Sequence, residues 1–186
     1  MKMSDRNGLV IVFTGLSGSG KTTVAQALKK EFDRLGRLSF VLDGDELRCF
    51  APEIGYSRDD RIKSARLKMS YAKILYEAGV IPICAFILGF REQREYARSL
   101  FDEAHYLECY LRCPAEVCAR RDPKGIYRKA ASKEINNVVG IDLEYEEPVD
   151  SSLVIDTDKV SAGEAAAVII KHIEEKRMLD RGQGKL

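Results

Sequence analysis

Gly15-Leu16-Ser17-Gly18-Ser19-Gly20-Lys21-Thr22 spaces glycines, a lysine and a hydroxyl as G-x-x-x-x-G-K-T, with a second hydroxyl following at Thr23. Such a loop can turn successive backbone N–H groups inward on the phosphates of a nucleotide. Lys21 can then reach the β/γ-phosphates, and Thr22 can offer its hydroxyl to Mg²⁺. A second chemical cluster lies in Leu42-Asp43-Gly44-Asp45-Glu46-Leu47-Arg48. Two carboxylates separated by one glycine, with an arginine just beyond, suit phosphoryl transfer. One acid can accept a hydroxyl proton, the other can hold metal-bound water, and the cation can counter charge on an anionic substrate. An Asp-Gly turn is usually only a solvated turn, so the weight of this cluster depends on where the fold puts it.

The elements expected around these clusters place both on one rim. Residues 9–14 read LVIVFT, an apolar, β-branched run suited to a buried parallel strand, and helical periodicity starts at Lys21. The glycine loop therefore opens a helix N-terminus, whose positive end favours phosphate. Further strands are expected at 38–42, 80–88, 106–111 and 153–155. Helices are expected at 61–78, closed by Gly79, at 91–104, at 114–121 with proline in its first turn, and from Ser161, where Glu164 completes a capping box. Alternation of this kind predicts an α/β fold, a doubly wound parallel sheet with helices on both faces. Ligands in such sheets bind beyond the carboxyl ends of the strands, so the loops after Thr14, Leu42, Leu88 and Leu111 should form one active-site rim.

Bulk properties fit a single enzyme domain. The chain has 186 residues, and 30 basic against 29 acidic residues give a net charge of +1, which excludes binding to nucleic acid or membrane driven by bulk charge. Cys49, Cys84, Cys109, Cys113 and Cys118 are odd in number and lack a paired C-x-x-C, so they read as reduced thiols and not as disulfides or zinc ligands. No run is long and apolar enough to span a bilayer and the first residues lack the apolar core of a signal peptide, so a cytoplasmic location is expected. Residues 180–186 read as a polar, frayed tail. His105 and His172 show no catalytic pairing.

Taken together, these motifs resemble the adenylylsulfate (APS) kinase family. The residues from Gly15 to Thr23 look like its P-loop, and Leu42-Asp43-Gly44-Asp45 with Arg48 like its second motif. Gly55-Tyr56-Ser57 with Asp60-Arg61 is similar to its G-F-S-x-x-D-R segment, and Ala78-Gly79-Val80 with Ala85-Phe86-Ile87 to its third strand. Arg121-Asp122-Pro123-Lys124-Gly125-Ile126-Tyr127 is similar to its lid, and Gly140-Ile141-Asp142, Tyr145-Glu146 and Pro148 to the segment beyond. The resemblance implies a P-loop NTPase fold with a mobile lid over residues 120–140. It implies ATP and Mg²⁺, a homodimer, and phosphorylation of the ribose 3′-hydroxyl of a nucleotide-like acceptor, in the prototype APS to 3′-phosphoadenylylsulfate (PAPS) in sulfate assimilation. By the same resemblance Asp45 is the general base, Asp43 supports it or orients Mg²⁺ with Thr22, and Arg48 and Arg61 hold the acceptor's 5′-anion. Arg121 and Lys124 are the lid cations expected to meet the nucleotide.

Departures from the family pattern concentrate on the acceptor side. Ser64 stands where asparagine is common, and the two phenylalanines that sandwich adenine correspond to Tyr56 and Val138. Where the family reads I-S-P-Y/F-R, this chain reads Ile87-Leu88-Gly89-Phe90-Arg91, so Leu88 replaces a serine and Ile87 keeps its place beside the acceptor. Direct in-line transfer needs no serine there. Cytidine diphosphoramidate kinases, which also resemble this pattern, are the alternative acceptor class. A regulatory P-loop NTPase is disfavoured by the lack of an N-K-x-D motif and by the second-substrate rim of Asp45, Arg48 and Arg61.

Overall fold

A computed structural model describes residues 8–179, so the expected tail at 180–186 lies outside the described residues. Five parallel strands form the sheet: β1 (Val10–Thr14), β2 (Ser39–Asp43), β3 (Ile81–Ala85), β4 (Tyr106–Arg112) and β5 (Leu153–Asp156), in the order β2-β3-β1-β4-β5. β1 is central, pairing Val12 with Cys84 of β3 and with Glu108 of β4.

The helices are α1 (Lys21–Arg34), α2 (Arg58–Glu77), α3 (Arg91–Ser99), α4 (Ala115–Arg121), α5 (Ile126–Ala131) and α6 (Ala162–Glu175). Alternate residues of β1 go to opposite faces, as a pleated strand requires. Ile11 and Phe13 pack with Val24, Leu28 and Phe32 of α1 and Ile169 of α6, whereas Val10 and Val12 pack with Met69 and Ala72 of α2 and Ala97 of α3. The doubly wound architecture is thus the one expected.

Several boundaries differ, each for a local reason. α2 starts three residues earlier than the expected 61, because the Ser57 hydroxyl caps the Asp60 N–H at 3.2 Å. The strand expected over 80–88 leaves the sheet after Ala85. Phe86 and Leu88 remain buried, but the Thr14 hydroxyl sits 3.1 Å and 3.2 Å from the carbonyls of Ile87 and Leu88, and Leu88 adopts φ +25°. The helix expected over 91–104 stops at Ser99, and a short 3₁₀ turn, Glu103–His105, follows. Within the expected lid, residues 122–125 form the anticipated break, closed by a Gly125 N–H bond to the Asp122 carbonyl at 3.1 Å. The helix α5 that follows was not foreseen. In its first turn the N–H groups of Tyr127 and Arg128 are held by the Asp122 carboxylate at 3.2 Å and 3.1 Å.

The five cysteines are free, four of them buried. His105 meets the Tyr76 hydroxyl at 3.0 Å, a packing role.

Candidate active site

β1 ends where the glycine loop begins, and the loop's geometry depends on two glycines. A Cβ on Gly15, at φ +147°, would lie 2.6 Å from the Leu111 carbonyl oxygen, and one on Gly18, at φ +79°, 2.8 Å from that of Cys118. Both glycines therefore let the loop lie directly on its neighbours. Ser19 is fully buried, and its carbonyl accepts from the Thr157 hydroxyl at 2.8 Å. The Lys21 ammonium donates to the carbonyls of Gly15 at 2.8 Å and Leu16 at 2.7 Å, and more distantly to the Ser19 hydroxyl. Burial pulls the Lys21 pKa down to about 8, although Cys118, Asp45 and Asp43 draw it upward.

β2 ends at Asp43, beside the loop. The Thr22 hydroxyl donates to Asp43 Oδ2 at 2.6 Å, and Asp43 Oδ1 accepts the Asp45 N–H at 2.8 Å. Burial opposes ionisation of Asp43. The bonds from Thr22, Asp45 and Glu46 and the nearby Lys124 nonetheless hold its carboxyl below the usual range. Asp45, in contrast, is exposed and receives the ammonium of Lys124 from across the cleft.

These groups line one cleft of about 930 Å³ together with Ser17, Gly18, Gly20, Thr23, Arg48, Tyr56, Arg61, Ser64, Ile87, Arg121 and Val138. Every expected site residue except Gly15, Leu16 and Ser19 lines it, Gly15 and Ser19 being buried. Arg48 lies with its guanidinium carbon 4.0 Å above the Tyr56 ring and donates to the carbonyls of Ile54 and Gly55. Arg61 donates to the carbonyl of Asn137 at 2.6 Å, joining α2 to the segment that carries Val138. Arg121 donates to the carbonyl of Thr157 at 2.8 Å and more weakly to that of Gly18, bracing the lid against the glycine loop. Leu88, at the position of the family's serine, also lines the cleft, and its carbonyl is held by Thr14 and Arg94.

Sequence reasoning missed some of this lining. Thr157 and Val160 belong to a fifth rim loop, after β5, and Ala162 opens α6 behind it. The four-residue strand β5 gave only a weak signal, although the rule that ligands sit beyond strand ends covers it equally. Tyr127 of α5 donates its hydroxyl to the Ser17 carbonyl at 2.9 Å. Lys68, four residues beyond Ser64 on α2, is half-buried in the cleft wall, and burial with Arg48 and Arg61 nearby pulls its pKa down to about 8.

Which residues could hold a cation follows from the donors. Thr22 and Asp43 present an oxygen pair at the edge of the glycine loop. Among the described residues no three His, Cys, Asp or Glu side chains cluster as a metal cage. That donor set fits Mg²⁺, a hard cation that keeps waters and takes phosphate oxygens.

Known proteins match this arrangement. The family model described as adenylylsulphate kinase matches residues 7–156. A probable adenylyl-sulfate kinase of Halalkalibacterium halodurans is 44% identical over 165 residues, covering 88% of this chain and 82% of that protein. The adenylyl-sulfate kinase of Geotalea uraniireducens is 41% identical over 183 residues, covering 96% and 88%. Among solved structures, the Mycobacterium tuberculosis APS kinase CysC in complex with AMPPNP and APS superposes with a TM-score of 0.85 at 35% identity, over 90% of this chain and 98% of that one. On a family match over residues 7–156 and relatives above 40% identical over most of its length, this chain belongs to the adenylylsulphate kinase family of phosphotransferases.

Proposed function

We propose that this protein transfers the γ-phosphoryl group of ATP to the ribose 3′-hydroxyl of adenylyl sulfate, giving PAPS. The observation that carries this reading is the union, in one cleft, of the glycine loop, the Asp43/Asp45 pair and the Arg48 and Arg61 cations. The relative solved with both AMPPNP and APS supports the same pairing of substrates.

In the mechanism we infer, the N–H groups of the glycine loop and Lys21 bind the donor's phosphates and offset charge that grows on them during transfer. Asp45 takes the proton of the 3′-hydroxyl. It is the exposed carboxylate of the pair and only its Oδ2 is met, by Lys124, whereas both oxygens of Asp43 are engaged by Thr22 and backbone N–H groups. Asp43, kept ionised, and Thr22 would hold Mg²⁺, which when bound would supply positive charge against that of the donor phosphates. Arg48 and Arg61 hold the acceptor's 5′-anion with their guanidinium forks, and Tyr56 and Val138 bound the space for the base. Ser64 and Ile87 complete that wall. Arg121 and Lys124 bring the lid over the nucleotide, which excludes water and limits wasteful hydrolysis of ATP.

The test is turnover of purified protein with Mg-ATP against APS and cytidine diphosphoramidate in parallel. Turnover of APS with 3′-phosphorylated product supports the reading. Preference for the cytidine acceptor, the outcome favoured by a pocket reshaped at Val138, would replace the acceptor and keep the kinase.

We further propose a homodimer in the cytoplasm. Five free thiols suit a reducing compartment, and no helix among the described residues is long and apolar enough to cross a membrane. One relative, an APS kinase of Thiobacillus denitrificans, is described as hexameric. Light scattering at working concentration decides the assembly.

A further inference from the structure

Arg61, Ser64, Ala65 and Lys68 stand at i, i+3, i+4 and i+7 on one face of α2, and all four line the cleft. Lys68 Nζ lies 3.5 Å from where a Cβ on Gly44 would stand and 5.8 Å from the centroid of the Phe86 ring. Its ammonium is therefore wedged between the Asp43-Gly44-Asp45 loop and the exit of β3. Arg48 and Arg61 are its charged neighbours of like sign, Asp45 and Asp43 those of opposite sign.

Neither carboxylate is free to answer it. Asp43 is engaged by Thr22 and by backbone N–H groups, and Asp45 by Lys124. Among the described residues, Arg48, Arg61 and Lys68 form no ion pair, yet all three converge on the same wall of a partly desolvated cleft. Gathering like charges away from water is unfavourable unless a ligand of opposite sign offsets it. We propose that Lys68 is a third acceptor-binding cation, completing with Arg48 and Arg61 a pocket for the anionic tail of the phosphoryl acceptor. This rests on the reading that the acceptor is a nucleotide with a 5′-linked anion. Three cations suit a tail with more than one charged group, such as a phosphosulfate, better than a lone monoanion. Lys68 supplies a compact point charge where Arg48 and Arg61 supply planar forks.

The experiment measures steady-state kinetics of wild type, Lys68→Met and Lys68→Arg at saturating Mg-ATP with APS varied, and uses adenosine, which lacks the 5′ anion, as a competitive inhibitor against APS. Methionine keeps the length and packing of the stem and removes the charge. KM for APS should rise by at least about tenfold in Lys68→Met, the scale of a charge-assisted hydrogen bond, with kcat, KM for ATP and adenosine inhibition within about threefold. Lys68→Arg should recover most of the loss. An unchanged KM for APS in Lys68→Met overturns the assignment, and so does an equal loss for APS and adenosine, which would mark Lys68 as packing. A wild type unable to phosphorylate APS overturns the reading on which the pocket rests, and the pocket with it. A wild type that is active, with an unaffected Lys68→Met, overturns the role of Lys68 alone.

Discussion

Lys124, at the turn between α4 and α5, places its ammonium on the carboxylate of Asp45, 79 positions earlier in the chain, and so ties the lid to the second rim loop. Both side chains are substantially exposed, and such ion pairs add at most about 1 kcal/mol to stability. The contact matters for chemistry instead, because it joins the lid to the residue assigned as base. Lys124→Ala should lower kcat by about tenfold or more while moving Tm by no more than about 2–4 °C. A large fall in Tm with unchanged kcat would make the contact structural.

Lys21→Ala should remove most turnover, by roughly two to three orders of magnitude, with the fold retained by circular dichroism. Wild type offers a second check. The Lys21 pKa is lowered to about 8, so the ammonium proposed to meet the phosphates is present below that pH and is lost above it. KM for ATP should stay level below about pH 8 and climb as pH rises beyond it. Near-normal turnover of Lys21→Ala at saturating Mg-ATP would remove Lys21 from the mechanism.

Asp45→Asn keeps the size of the side chain and removes the proton acceptor. Turnover should fall by about two orders of magnitude or more while ATP still binds, as followed by calorimetry. If Asp43→Asn instead abolishes chemistry with ATP bound, and Asp45→Asn is mild, the two roles are exchanged.

Arg48→Lys and Arg61→Lys retain charge and lose the fork. Each should weaken the acceptor by roughly 10- to 150-fold, the range for hydrogen bonds to charged groups, with KM for ATP little changed. Equal losses for ATP and acceptor would mean that these arginines support the cleft as a whole. Arg61 has such a second task, since it also holds the Asn137 carbonyl.

Val138 is only 5% exposed and forms part of the cleft wall. Val138→Phe should lower KM for APS by about two- to tenfold by adding an aromatic face for the base. A rise in KM for APS would show that this wall is shaped for a different base.

The sequence by itself determined the central strand, the glycine loop, the opening of α1 and the carboxylate pair after β2. Each depends on neighbours in the chain: a short apolar run, glycines at fixed offsets, and a helical period beginning at Lys21. The resemblance to APS kinases likewise lies in short contiguous motifs, and it placed Arg48, Tyr56, Arg61 and Val138 on the cleft they do line. Only the tertiary structure decided which stripe of α2 faces that cleft. Residues 58–77 carry charges on several sides, so Lys68 could be separated from Lys63 or Lys73 only once the sheet had fixed the helix's rotation. It also decided that α5 forms, because a six-residue helix is too short to declare itself by periodicity and is held by the Asp122 carboxylate and by Tyr127 on the glycine loop. Pairings such as Lys124 with Asp45 and Thr157 with Ser19 join residues 79 and 138 positions apart. Local sequence has no access to such distances, because they are set by the strand order that brings the loops after β1, β2, β4 and β5 to one edge of the sheet.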